Sequence, residues 1–181
     1  MNAAILCPGP SLAKWPDEML MAYPLRIAVN RGVHRVRATH WVMADLNPFE
    51  KDRPAELPPI WTSESIVGYF PPGSATAYET LGERFPFLVN TYSPDGTVDW
   101  RSFSATAALV VAAALGAKVI DVYGADWTNE PDFDGKSINL SVIERLPERW
   151  KTECQIWDAV GADLTARNIS VNRILYADLE L

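Results

Sequence analysis

The sequence predicts an α/β protein: a mostly parallel sheet with helices on both faces. Three observations carry that expectation. Short apolar runs alternate with helical stretches, each run breaks into a Gly, Pro, Asn or Asp turn, and one Ala/Val/Leu helix is apolar nearly all round. A helix without a polar face belongs against a sheet, and strands alternating with helices pair in parallel.

The elements follow in order. Asn2 to Cys7 reads as a buried first strand, and Pro8-Gly9-Pro10-Ser11-Leu12 as a turn opening a helix. A turn of this kind presents backbone N–H groups and a positive dipole end, a seat for phosphate. Read as an ordinary strand-to-helix turn, it makes Ser11 only an N-cap. Residues 15–22 form a short helix and residues 26–30 a second strand, closed by the polar turn Asn30-Arg31-Gly32. Residues 40–44 give a third strand, 58–62 a short fourth and 87–90 another, with 63–84 mixed and 91–101 a polar loop.

Ser104-Ala105-Thr106 caps the apolar helix, which Gly116 stops. Residues 118–123 are the next strand, ending in Gly124-Ala125-Asp126-Trp127. A polar loop or reduced lid follows around 128–148, with Asp132 and Asp134 read as solvated. Trp150, Cys154, Trp157 and Val160 recur at helical spacing before Gly161, and residues 168–171 are a last strand.

With 181 residues and 48% hydrophobic content, the chain can fold as one domain over 1–181. Sixteen Lys+Arg against 23 Asp+Glu give a net charge of −7, which disfavours a duplex nucleic-acid partner. The two cysteines, Cys7 and Cys154, lack metal-ligand spacing and read as buried free thiols of a reducing compartment. There is no signal-peptide pattern, and the longest apolar run, 105–115, is too short for a bilayer. A cytoplasmic protein with no membrane partner is expected.

Ligands of open parallel sheets bind outside the strand carboxyl ends. Gly9, Pro10, Ser11, Asn30, Asp45, Asn47, Asp126 and Asn172 fall at those ends, and Ser104 joins them if the preceding loop folds over the sheet edge. Each also has a plainer use: Asn30 tolerates a left-handed turn, and Asp45 and Ser104 can cap helices.

Cys7-Pro8-Gly9-Pro10-Ser11-Leu12 resembles the Gly-x-Gly-Pro-Ser-Leu turn of bacterial sialyltransferases of the CstII type, glycosyltransferase family 42, and of related DUF115-type and phage proteins. Val29-Asn30-Arg31 and Met43-Ala44-Asp45 with Asn47-Pro48 are similar to that family's second-strand and third-strand motifs. Phe103-Ser104-Ala105, the run from Ala113 to Lys118, and Tyr123-Gly124-Ala125-Asp126-Trp127 are similar to Thr-Ser-Gly, Ala-Leu-Gly-Tyr-Lys and Ser-Gly-Ile-Asp-Phe. The resemblance implies a Rossmann-like GT-A variant binding a nucleotide or CMP-type nucleotide sugar. Gly9, Ser11, Asn30 and Ser104 would line the pocket, with Asp45 and Asp126 beside it. The chain departs where the family has its lid His, offering Arg149-Trp150, and where the family has tyrosines, offering Thr128 and Asn129. Pro8 replaces a family Asn.

A glycosyltransferase reaction needs a base, a partner for the departing phosphate and a sugar pocket. Asp126 or Asp45 can serve as base; Arg149, Lys151 or the first helix dipole can hold phosphate. Asp45 and Asn47 are candidate ligands for a divalent cation such as Mg²⁺. Mg²⁺-dependent pyrophosphokinase chemistry, as in pterin pyrophosphokinases of the DUF115 type, is a second reading, although no P-loop occurs. A non-catalytic nucleotide binder is a third. Trp41, Trp61 and Trp157 read as core, whereas Trp100, Trp127 and Trp150 can stack on a base or sugar ring, leaving carbohydrate or nucleobase as acceptor. Without a large lid, a homo-oligomer can complete the cleft.

Overall fold

A computed structural model describes residues 1–42, 66–69, 88–92, 103–128, 130–135 and 147–176, with backbone alone for 66–69, 88–92 and 147–149. Asp45, Asn47, the expected strand at 58–62, Trp61 and Trp100 lie outside the described residues.

Among the described residues, seven strands form one sheet in the order β5-β4-β3-β2-β1-β6-β7. They are β1 (Asn2–Leu6), β2 (Leu25–Val29), β3 (His40–Val42), β4 (Ile66–Tyr69), β5 (Leu88–Tyr92), β6 (Val119–Tyr123) and β7 (Ser170–Ile174). Every neighbouring pair is parallel. β1 is an interior strand, with Ile5 registered against Ile27 on one side and Val122 on the other. The chain leaves β1 for β2 and leaves β6 for β7, in opposite directions, so the strand order reverses between β1 and β6. That reversal is where such sheets open a crevice.

Side chains alternate along a strand, and β1 is apolar at successive positions because both its faces are covered. Ala3, Ile5 and Cys7 join one core cluster, and Ala4 and Leu6 the other. The second cluster is closed by Leu12 of the 3₁₀ turn Pro10–Lys14, by Trp15 directly after it, and by Leu20 of the short helix α1 (Asp17–Met21). The first is closed by α2 (Ser104–Ala114) and α3 (Pro147–Ala166). Right-handed crossovers that leave in opposite directions require covers on opposite faces.

The expected all-round burial of α2 is present: nine of its 11 residues are buried, and it packs on β1, β2 and β3. Both long helices end alike. Gly116, at φ +89, donates to Ala113 while Ala117 donates to Ala112; Asn168, at φ +58, donates to Thr165 while Ile169 donates to Leu164. These are Schellman pairs, each with its apolar contact, Ala112 with Ala117 and Leu164 with Ile169, all four buried.

Several boundaries differ from expectation. α3 passes through Gly161 because Leu164 continues its buried stripe from Trp157 and Val160. Asn168 therefore completes a helix cap, and β7 starts at Ser170. Trp15 ends the 3₁₀ turn as a buried core residue, so α1 begins only after Pro16. β4 lies in the stretch read as mixed, and β5 extends through Thr91 and Tyr92, both good strand formers. Cys154 is half-buried, not buried like Cys7. No helix among the described residues is long and apolar enough to cross a membrane.

Candidate functional site

The segments after β1, β2 and β6, the start of α2 and one face of α3 surround a cleft at the reversal point. Gly9, Pro10, Asn30, Ser104 and Asp126 line it together with Phe103, Trp127, Glu130, Asp132, Trp150 and Glu153.

The first turn is closed upon itself. Cys7 N–H donates to the Tyr123 carbonyl at 2.8 Å, Gly9 N–H to Gly124 at 3.0 Å and Leu12 N–H to Gly9 at 3.0 Å. Pro8 and Pro10 have no N–H to offer. Ser11 N–H donates to Asp126 Oδ2 at 2.7 Å, and its hydroxyl to Oδ1 at 2.6 Å. The expected phosphate seat thus already holds an anion, the Asp126 carboxylate. One expectation is corrected: Ser11 is not an N-cap but a donor pair inside the 3₁₀ turn. Asp126 engages that pair with both oxygens and latches the two turns together while also lining the cleft. A Cβ on Gly9 would sit 2.4 Å from the Gly124 carbonyl and 2.6 Å from Asp126 Oδ2, so only glycine fits.

Asn30 is left-handed at φ +47, and its carbonyl accepts from Trp41 Nε1 at 2.8 Å. Its Oδ1 is buried and finds no donor among the described residues. A buried amide oxygen in a cleft wall is suited to a ligand N–H or O–H. The adjoining Arg31 is 5% exposed and pairs with Asp134 and, at 3.6 Å, with Asp132. The two acids are therefore not a solvated loop. They are compensating charges for a buried guanidinium, and Phe133 N–H reinforces the contact by donating to Pro8 at 2.9 Å.

Ser104 is the first helical residue of α2 and is 8% exposed; Phe103 holds the N-cap position without a side-chain cap bond. The capping expectation is corrected: Ser104 lines the cleft, and the Thr106 hydroxyl donates to the Phe103 carbonyl at 2.9 Å. Asn172 stands apart from the cleft lining. It sits opposite Asp121 in mid-strand and donates to Asp121 Oδ1 at 2.7 Å, because β7 runs on to Ile174. Asp121 Oδ2 also accepts from the Tyr23 hydroxyl at 2.7 Å, which lies 2.6 Å from that of Tyr123. Burial, then these bonds, push the Tyr23 phenol upward. Arg149 lies in the first turn of α3, with its backbone described, and Lys151 is exposed.

Three site groups escaped sequence reasoning: Arg31, Glu153 and Arg173. Glu153 is 8% exposed in the cleft. The signal for it was its spacing of three from Trp150 and four from Trp157, which puts a carboxylate on the buried stripe and turns Cys154 outward. Burial first, then the Glu153 and Asp126 charges, push the Cys7 thiol well above its ordinary range, with Arg173 opposing. Arg173 Nε donates to the Ala125 carbonyl at 2.7 Å, and its guanidinium lies 3.8 Å from the Trp127 ring centre.

The sequence matches no protein-family model and no curated protein. The fold is similar to that of the sialyltransferase CstII from Campylobacter jejuni in complex with the substrate analogue CMP-3FNeuAc. There the TM-score is 0.60 at 13% identity, over 95% of this chain and 80% of that one. A sialyltransferase CST-II structure with trisaccharide acceptor and CMP gives a TM-score of 0.58 at 13% identity, over 96% and 80%. The chain has a CstII-like, Rossmann-like α/β fold.

Proposed function

We propose that this protein is a glycosyltransferase-like enzyme that binds a nucleotide or nucleotide sugar in the cleft at the β1/β6 reversal. The observation carrying this reading is the N-terminus of the buried helix α2, which opens on that cleft with Ser104 in its lining. A helix of 11 residues presents there its positive dipole end and first-turn N–H groups, suited to a phosphate. Because Asp126 fills the first turn, the phosphate seat moves to α2. Asn30 Oδ1 then receives a ligand hydroxyl or amine. Asp126 or Asp45 as base, Arg149 as phosphate partner, and Asp45 with Asn47 on a divalent cation complete the reading, while the buried Glu153 is a further carboxylate in the cleft lining. The CstII structures hold CMP-3FNeuAc, or CMP with a trisaccharide acceptor, which makes CMP the first nucleotide to try.

The test is thermal unfolding with CMP, CDP, UMP, UDP, GDP and ATP, each with and without Mg²⁺. A ligand at about a hundred times its Kd adds roughly 2.7 kcal/mol to stability. Selective stabilisation by a pyrimidine nucleotide is expected, followed by turnover of the matching nucleotide sugar. A response confined to ATP with Mg²⁺ replaces the reading with pyrophosphokinase chemistry, and silence across the panel overturns it.

A further inference from the structure

We propose that Trp127 is the platform on which the cleft stacks a nucleobase, and that Arg173 is the positioning residue that holds this platform. The proposal rests on the nucleotide reading above and names the group that would recognise the base.

Trp127 has φ +51. A bulky aromatic residue is a true outlier there, and such backbone persists only where the surroundings over-determine it. They do so here. The Arg173 guanidinium lies over the ring, 3.8 Å from its centre, and is itself tied by Nε to the Ala125 carbonyl at 2.7 Å. The Trp157 ring meets the indole edge-on at 5.6 Å and 83°. Two side chains from β7 and α3 thus fix the indole as a wall of the cleft that also contains Ser104 and Asn30. An aromatic ring held rigid beside a helix N-terminus and an unsatisfied amide oxygen supplies what a nucleotide needs beyond its phosphate and hydroxyls: a flat apolar surface for the base. Stacking of this kind tolerates any base, because each has a π face.

The experiment is calorimetric titration of the whole chain with CMP and with ribose 5-phosphate, which keeps phosphate and sugar but lacks the base. In Trp127→Ala the affinity for CMP is expected to fall about tenfold, the usual worth of one base–aromatic stack. Affinity for ribose 5-phosphate stays within about twofold, and Trp127→Phe regains most of the loss. Arg173→Met lowers CMP affinity in the same base-dependent way and adds little to Trp127→Ala. Should Trp127→Ala not fold, tryptophan quenching by CMP, absent with ribose 5-phosphate and lost in Trp127→Phe, reads the same contact. Equal losses for both ligands, or unchanged CMP binding in Trp127→Ala, overturn the proposal while leaving the nucleotide reading in place. Failure of the unsubstituted protein to bind any nucleotide of the panel overturns both.

Discussion

Asp126 accepts both hydrogen bonds that Ser11 can donate, from its N–H at 2.7 Å and from its hydroxyl at 2.6 Å. The segments that leave β1 and β6 are thereby joined beyond the last rungs of their ladder, at the floor of the cleft.

Hydrogen bonds to a charged acceptor contribute about 1.5–3 kcal/mol each. Ser11→Ala removes one of the two and is expected to lower unfolding free energy in urea by about that amount. Asp126→Ala leaves both donors without an acceptor and costs more. Since both changes act on one contact, the double variant should be little worse than Asp126→Ala. Simple additivity would show that the latch contributes nothing as a unit.

Glycine replacements should move stability in opposite directions. A Cβ on Gly32 would sit 2.0 Å from the Leu6 carbonyl oxygen, a backbone atom that cannot yield without disturbing β1. Gly161, by contrast, lies inside α3 with open space around its would-be Cβ. Gly161→Ala is expected to raise stability by about 0.5–1 kcal/mol through helix propensity, whereas Gly32→Ala lowers it severely. Thermal midpoints of the two variants check the pair.

Arg31→Met strips the buried cation from Asp132 and Asp134. Breaking a buried pair from one side costs about 3–5 kcal/mol, and the partial exposure of the two acids places the expected loss near the lower bound. Hydrogen exchange at the Phe133 amide, which donates to Pro8 at 2.9 Å, should accelerate selectively. Restoring stability by adding Asp132→Asn and Asp134→Asn would attribute the loss to stranded charge.

Burial holds the His40 imidazole below its usual value near 6.5. The folded chain therefore binds fewer protons than the unfolded chain between the lowered pKa and about 6.5. Stability is full above that value and declines as pH falls through it towards the folded pKa. Urea midpoints between pH 7.5 and 5 should show the decline, and His40→Gln should flatten it. An identical slope in the variant would assign the dependence to other groups.

Burial on two faces made β1, β2 and β6 legible, since it writes a continuous apolar run into the sequence. Gly116 announced the end of α2, but Asn168 performs the same cap at α3 without glycine's signature. Gly9, Asn30, Ser104 and Asp126 were found by their place at strand ends or a helix start. Their partners were not. Ser11 and Asp126 are separated by 115 positions, a distance that only the sheet closes. Arg31 was passed over because a charge in a turn reads as exposed, and its compensating acids lie about a hundred residues on. Glu153 was hidden by a shift of one position in the helical stripe.

The latch has a temporal side. In synthesis Asp126 follows Ser11 by 115 residues. At about 5–20 residues per second, that interval is on the order of ten seconds. Throughout it, β1 has one unpaired edge, and the turn after it lacks the carboxylate that fills it. Emergence of β6 and Asp126 is thus the single event that closes that edge and builds the floor of the cleft.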